Sequence, residues 1–243
     1  MKQGWILSAV LAIFSLAVGS AGAQEGAKAI FYTGSGATVV VEPPQPAAGA
    51  RPPATASPPT EPRAKEAYMG IAYWVELVGR DGQKKRVTTD HVFRSGDRIT
   101  FHIQGNRDGH LYLVNVGSTG RSHLLFPHPA MAVRTNFIRA NVAYQIPQNA
   151  TIRFDENPGE ETLLVMLTPQ PMGEAAPTAE PATAVLSTDD TSRLLRTAQA
   201  KGAKDLLLEV DSTGAQPASY AVAPVKSLRE GGMITLQIRL KHQ

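Results

Sequence analysis

From Glu66 onward the apolar residues of this chain fall into short periodic runs separated by turn residues. Ile99, Phe101 and Ile103 alternate with Thr100, His102 and Gln104, a period of two that predicts a strand with one face in a core and one toward solvent. Tyr68 to Val78 predicts a long strand, and the Asp81-Gly82 step after it suits a tight hairpin before Lys84 to Val87 returns. Ser95-Gly96-Asp97, Asn106-Arg107-Asp108-Gly109 and Asn157-Pro158-Gly159 mark further turns. His110 to Val116 is apolar or aromatic on both faces, as a central strand would be. Leu124-Leu125-Phe126 should stop at Pro127, which has no ladder donor. After a polar stretch from Met131 to Asn141, the runs Tyr144 to Pro147, Ile152 to Phe154 and Thr162 to Leu167 continue the alternation. Short strands with turns about every 8 to 12 residues predict a mainly β fold for residues 66–171, an antiparallel β-sandwich, immunoglobulin-like or related.

The period changes after residues 172–186, a Pro/Ala-rich stretch read as a loop. Within residues 187–243, Leu194, Leu195 and Ala198 predict one short helix, capped by Asp189 or Asp190 and stopped at Gly202. Arg193, Arg196 and Lys201 offset the negative end of its dipole. Leu206 to Leu208, Tyr220 to Val222 and the alternating Ile234 to Leu240 predict strands, the last at an edge or in a meander. If they extend the main sheet, residues 172–186 are an exposed loop and not a domain boundary. Ahead of the sandwich, residues 24–42 form an amino-terminal strand segment. Its Ala29-Ile30-Phe31-Tyr32 and Thr38 to Val41 runs are satisfied by a short strand pair, or by a helical turn followed by a strand. Residues 43–65 read as a Pro/Ala-rich linker of extended, polyproline-like character, with eight prolines between Pro43 and Pro62.

Residues 1–23 carry Lys2, an uncharged run from Trp5 to Val18 and the small residues Ala21-Gly22-Ala23, the pattern of a signal peptide cleaved after Ala23. That run is shorter than the roughly 20 residues a helix needs to cross a hydrocarbon core. A retained membrane anchor is the alternative, and no later stretch is apolar enough to span. The sequence has no cysteine, which excludes a disulfide framework, a thiolate metal site, a cysteine nucleophile and a lipid-modified amino-terminal cysteine. An exported chain without cysteine fits the bacterial envelope, periplasmic or extracellular. Losing Lys2 changes 24 basic residues to 23 against 21 acidic ones, so the mature net charge is +2. From Glu66 to Pro171 the two signs alternate without a clustered basic stripe, which argues against a nucleic-acid partner. Lys84-Lys85-Arg86 reads as the solvated side of a hairpin.

The ordered string Gly70 to Leu77, Val92-Phe93-Arg94-Ser95-Gly96-Asp97-Arg98-Ile99, Gly109-His110-Leu111-Tyr112-Leu113-Val114-Asn115, Leu124-Leu125-Phe126-Pro127 and Phe154 to Gly159 resembles the bacterial domain of unknown function 4384. The resemblance covers about residues 66 to 170, and its specificity lies in the joint order of the pieces. It implies a β-rich, non-catalytic module, often joined to kinase, caspase-like or envelope domains, with no catalytic residues to transfer. The chain departs at His110, where family members often have Tyr after the glycine.

The sequence contains no Gly-x-Ser-x-Gly elbow, P-loop or dinucleotide fingerprint. Asp155-Glu156 and Glu160-Glu161 flank a Pro-Gly turn and read as solvated. His110, His123 and His128 would make a metal site only if the Gly117 to Gly120 hairpin brought them together, and neither metal nor cofactor is expected. Tyr112 and Phe126 read as core, and Asn115 as a side chain bonding a loop backbone. Arg121, His123, Phe126 and His128 are the expected partner-binding surface, because loops at a sandwich end carry recognition and Arg and aromatics favour interfaces. The expected function is an exported, non-catalytic module that binds another envelope protein through a sheet edge or end loops. The alternatives are a carbohydrate or cell-wall binding module, which needs an open aromatic platform around Trp74, and an exported hydrolase.

Overall fold

The computed structural model describes residues 26–34, 66–117, 120–131 and 135–243. The expected signal peptide, the proline-rich linker and the Thr38 to Val41 strand lie outside these residues. Among the described residues the first element is α1 (Ala27–Thr33), and β1 (Tyr68–Val78), β2 (Lys84–Val87), β3 (Val92–Phe93), β4 (Arg98–Gly105) and β5 (Gly109–Val116) come next. The chain continues through β6 (Ser122–Phe126), β7 (Phe137–Ile138), β8 (Ala143–Ile146), β9 (Ile152–Arg153) and β10 (Gly159–Thr168). After a 3-10 turn at Gly173–Ala175 come β11 (Val185–Leu186), α2 (Thr188–Lys201), β12 (Leu207–Asp211), β13 (Ala218–Pro224), a second 3-10 segment and β14 (Ile234–His242).

Among the described residues, two seven-stranded sheets pack face to face as a β-sandwich. The first runs β12-β13-β1-β4-β8, with β2 also pairing β1 and β9 also pairing β4. The second runs β11-β6-β5-β10-β14-β3, with β7 pairing β5. All pairings are antiparallel except the short β14–β3 contact. The carboxyl-terminal strands thus enter both sheets. β14, expected at an edge or in a meander, lies inside the second sheet between β10 and β3.

The alternation seen in the sequence accounts for the core. Ile99, Phe101 and Ile103 on β4 are fully buried and meet Met69, Ile71 and Val75 of β1 and Leu111, Leu113, Leu163, Val165 and Leu167 of the opposite sheet. β5 and β10 are apolar on their other face too, and α2 explains why. Tyr112, Val114, Leu164 and Met166 lie beneath Leu194 and Ala198 of that helix. Tyr112 is therefore buried, but under α2 and not between the sheets. Ser187 caps α2 by accepting the Asp190 amide, and its hydroxyl donates to the Asp190 carboxylate. The expected cap at Asp189 or Asp190 is thus displaced, with Asp190 on the reciprocal side of the bond.

The outer face of the first sheet is half covered by α1. Ala27, Ile30 and Phe31, spaced i, i+3 and i+4, bury one side of this short helix against Ala72, Tyr220 and Val222. Gly70 makes the close approach possible: a Cβ there would lie 2.9 Å from the Ala221 carbonyl and 3.1 Å from the Phe31 ring. Asn106, expected as a turn residue, is 1% exposed and ties the layers together. Its Oδ1 accepts the Gly70 amide at 2.7 Å, and its Nδ2 donates to the Phe31 carbonyl at 3.1 Å.

Candidate functional site

At one end of the sandwich the inward positions of the second sheet change chemistry. Along β5 they run Leu111, Leu113, Asn115; along β10 Leu167, Val165, Leu163, Glu161; along β14 Ile238, Leu240, His242. His123 of β6 stands opposite Asn115 in register. The sheets part here around a cleft of about 620 Å³, whose walls include Ile99, Ile152, Phe154, Leu163 and Leu240. Arg121 and Arg153, both exposed, stand on its rim with Asp155 and Asn157.

The carboxylates of this cleft already have donors. Asn115 Nδ2 donates to Glu161 at 2.9 Å, so Asn115 serves a facing side chain and not the loop backbone expected. Asp155 accepts both the amide of Asn157, at 2.8 Å, and its side-chain Nδ2, at 3.0 Å. Those bonds hold the Asp155 carboxyl below the usual carboxylate range, with a small contribution from His242. His242, 6% exposed, bonds Ser95 Oγ at 3.2 Å through Nε2. Among the described residues neither Arg121 nor Arg153 forms an ion pair.

Of the four expected surface residues, Arg121 and His123 line this cleft, and Phe126 and His128 lie outside it. Phe126 is 3% exposed and belongs to the inter-sheet core, which withdraws it from any partner surface. The cause is an irregularity in the β5–β6 register between Leu113 and Val114. It turns Phe126 inward, although Leu124 two residues earlier faces α2. His128 is half-buried and accepts the Ala130 amide through Nδ1. His110, at the far end of β5, bonds Asn136. Among the described residues no three His, Asp or Glu side chains gather where a cation could be shared.

The exposed half of the first sheet's outer face carries Trp74. Its indole stacks parallel to His102 of β4, centroids 5.1 Å apart and planes 6° from parallel. From β2, on the other side of β1, the Arg86 guanidinium lies 4.1 Å from the ring centre. Glu76 accepts from His102 at 2.9 Å and forms an ion pair with Lys84 at 3.5 Å. Burial pushes the His102 imidazole below its ordinary value, against the opposing pull of Glu76. The basic hairpin residues Lys84 and Arg86 are thus engaged with this face and not merely solvated.

A third feature is β12, the end strand of the first sheet, which among the described residues pairs only with β13. Glu209 and Asp211 face α1, where Glu209 accepts the Lys28 amide and Asp211 pairs with the Lys28 ammonium. The Lys28 and Thr213 bonds draw the Asp211 carboxyl down to about 2. The alternate residues Leu208 and Val210 are 65% and 61% exposed. They stand opposite Ala221 and Ser219 in register, on the sheet's inner side but beyond the cover of the second sheet.

A comparison with known families locates part of this architecture. Residues 92–171 match the family described as Domain of unknown function (DUF4384). No curated protein and no solved structure matches the chain. The DUF4384 segment runs from β3 through β10, so the Gly70 to Leu77 part of the resemblance falls outside it. It supplies β4, β5 and β10, but the rest of the chain supplies β1, β13 and β14, which sit between or beside them. Most of the cleft belongs to the DUF4384 segment, with Leu240 and His242 added from outside; β12 lies wholly outside.

Proposed function

We propose that this protein is an exported, non-catalytic interaction module of a bacterial envelope, which takes up an extended segment of another envelope protein as an added strand along β12. One observation carries the reading: Leu208 and Val210 leave two branched aliphatic side chains in solvent on an end strand whose second pairing side is free among the described residues. Edge strands are ordinarily blunted by charge, proline or a covering element. A partner strand laid there gains main-chain hydrogen bonds for affinity, and its alternate side chains meet Leu208 and Val210 for specificity. The amino-terminal signal pattern supports the exported setting. The carbohydrate reading has less support, since His102 and Arg86 already occupy the Trp74 ring.

The test is site-specific photo-cross-linking in the envelope of the producing bacterium. A photoreactive residue at Leu208 should give one discrete adduct, weakened at least tenfold by Val210→Lys. The same probe at Gln237, exposed on β14, should give none. No adduct at Leu208, or equal adducts at Leu208 and Gln237, would overturn the edge reading.

A further inference from the structure

The end cleft gathers polar side chains from neighbouring strands around an apolar interior. Four strands of one sheet turn polar side chains inward at the same level, Asn115, His123, Glu161 and His242. His242 is buried and the other three are half-buried, and each polar group so withdrawn from water must find a partner or cost free energy. Asn115 bears that cost in part: its Oδ1 is closed off from solvent and has no donor among the described residues. The enclosed volume, about 620 Å³, lies within the range of small-ligand sites, and those sites typically join apolar walls to a few convergent polar groups.

The charges select the ligand. Asp155 accepts two bonds from Asn157 and Glu161 accepts from Asn115, so both carboxylates keep their charge but are held by neutral donors away from the two arginines. Arg121, just before β6, and Arg153 of β9 both line the cleft, without an ion pair among the described residues. A planar guanidinium matches a carboxylate in a bidentate fork. Below the rim, Ile99, Ile152, Leu163 and Leu240 offer an apolar floor.

We infer that this cleft is a binding site for a carboxylate carried on an apolar body, with Arg121 and Arg153 holding the anion and the aliphatic floor taking the rest. Two sources share that chemistry, the free carboxyl terminus of a peptide ending in an apolar residue and a small free organic acid. The site is separate from β12 and does not depend on strand addition there.

Titration of the mature chain by two-dimensional NMR tests it with three probes: N-acetylphenylalanine, N-acetylphenylalanine amide and hexanoate. At least one of the two acids should saturate at millimolar concentration or below, moving the amides of Asn115, Arg121, Arg153 and Glu161. The amide probe should bind at least tenfold more weakly than N-acetylphenylalanine where that acid binds. Tighter binding of N-acetylphenylalanine than of hexanoate assigns the peptide source, and the reverse order the free acid. Arg121→Gln and Arg153→Gln replace exposed side chains, so the folded spectrum should persist, and each should weaken the acids at least fivefold. Failure of both acids to saturate, equal binding of acid and amide, or unchanged affinity in the double variant would each overturn the assignment.

Discussion

Asn106→Ala isolates the joint between α1 and the sandwich. The substitution removes the acceptor of the Gly70 amide and the donor to the Phe31 carbonyl, two bonds in a region from which water is excluded. A buried group stripped of its partner costs about 1–3 kcal/mol. The loss has an upper limit, because undocking α1 returns both groups to water. The helix itself has only seven residues, and Ile30 and Phe31 are its main apolar anchors, worth about 1.5–3 kcal/mol each if wholly buried. Ordering those residues costs a comparable amount, so the docked state has little reserve. We expect docking to weaken by about 2 kcal/mol, which makes opening about 30-fold more frequent. Amide hydrogen exchange reads this directly at Ile30 and Gly34, which donate to the carbonyls of Gly26 and Ile30. Their exchange should accelerate about 30-fold, with β10 and β14 amides changing less than threefold. Acceleration below threefold at Ile30, or equal acceleration in β10, would refute the argument that Asn106 fastens α1 as a separately opening unit.

Two further outcomes follow from the packing and the ionisable groups. Gly109→Ala should lower stability by about 1–3 kcal/mol in urea unfolding, since a Cβ would lie 2.9 Å from the Thr168 carbonyl and 2.6 Å from the buried Met69 methyl; an unchanged midpoint would show that both neighbours yield. His102 has a folded value below its ordinary one, so its contribution to stability is fully present above about pH 6.5 and is lost as pH falls through the lowered value. In a chain starting at Gln24, Trp74 is the one tryptophan, and its fluorescence should titrate with a midpoint below 6.5 in the native protein but not in His102→Gln.

Much of the sandwich was legible because β4 and β14 obey a period of two without interruption, and because the glycine and asparagine turns fall where the chain reverses. β5 was legible as a central strand, but its second apolar face belongs to α2, a tertiary contact that periodicity does not address. Phe126 carried two readings, core filler and partner surface; its burial between the sheets fits the first, and the register irregularity that turns it inward has no local residue pattern to announce it. α1 carried a signal in the i, i+3, i+4 spacing of Ala27, Ile30 and Phe31, but β-prone aromatic neighbours left strand and helix equally open. The cleft was half visible. Arg121 and His123 were singled out as an end-loop surface, whereas Glu161, Arg153 and His242 join them only through pairings between distant strands. Which strand ends a sheet is also a matter of pairing, so the exposed side of β12 could not be foreseen from Leu208 and Val210 alone.

The insertion of β1 between β4 and β13, and of β14 between β10 and β3, fixes an order of events. Neither sheet can close until a segment more than 140 positions downstream arrives, since Tyr68 pairs with Pro224 and Phe93 with His242. A polypeptide emerging from its amino terminus therefore stays open along both seams until its last strands are available, and contacts of such long range make closure slow. Until then β1 and β10 each keep an unpaired edge, and an open edge of that kind is a template for pairing with a second copy of the chain.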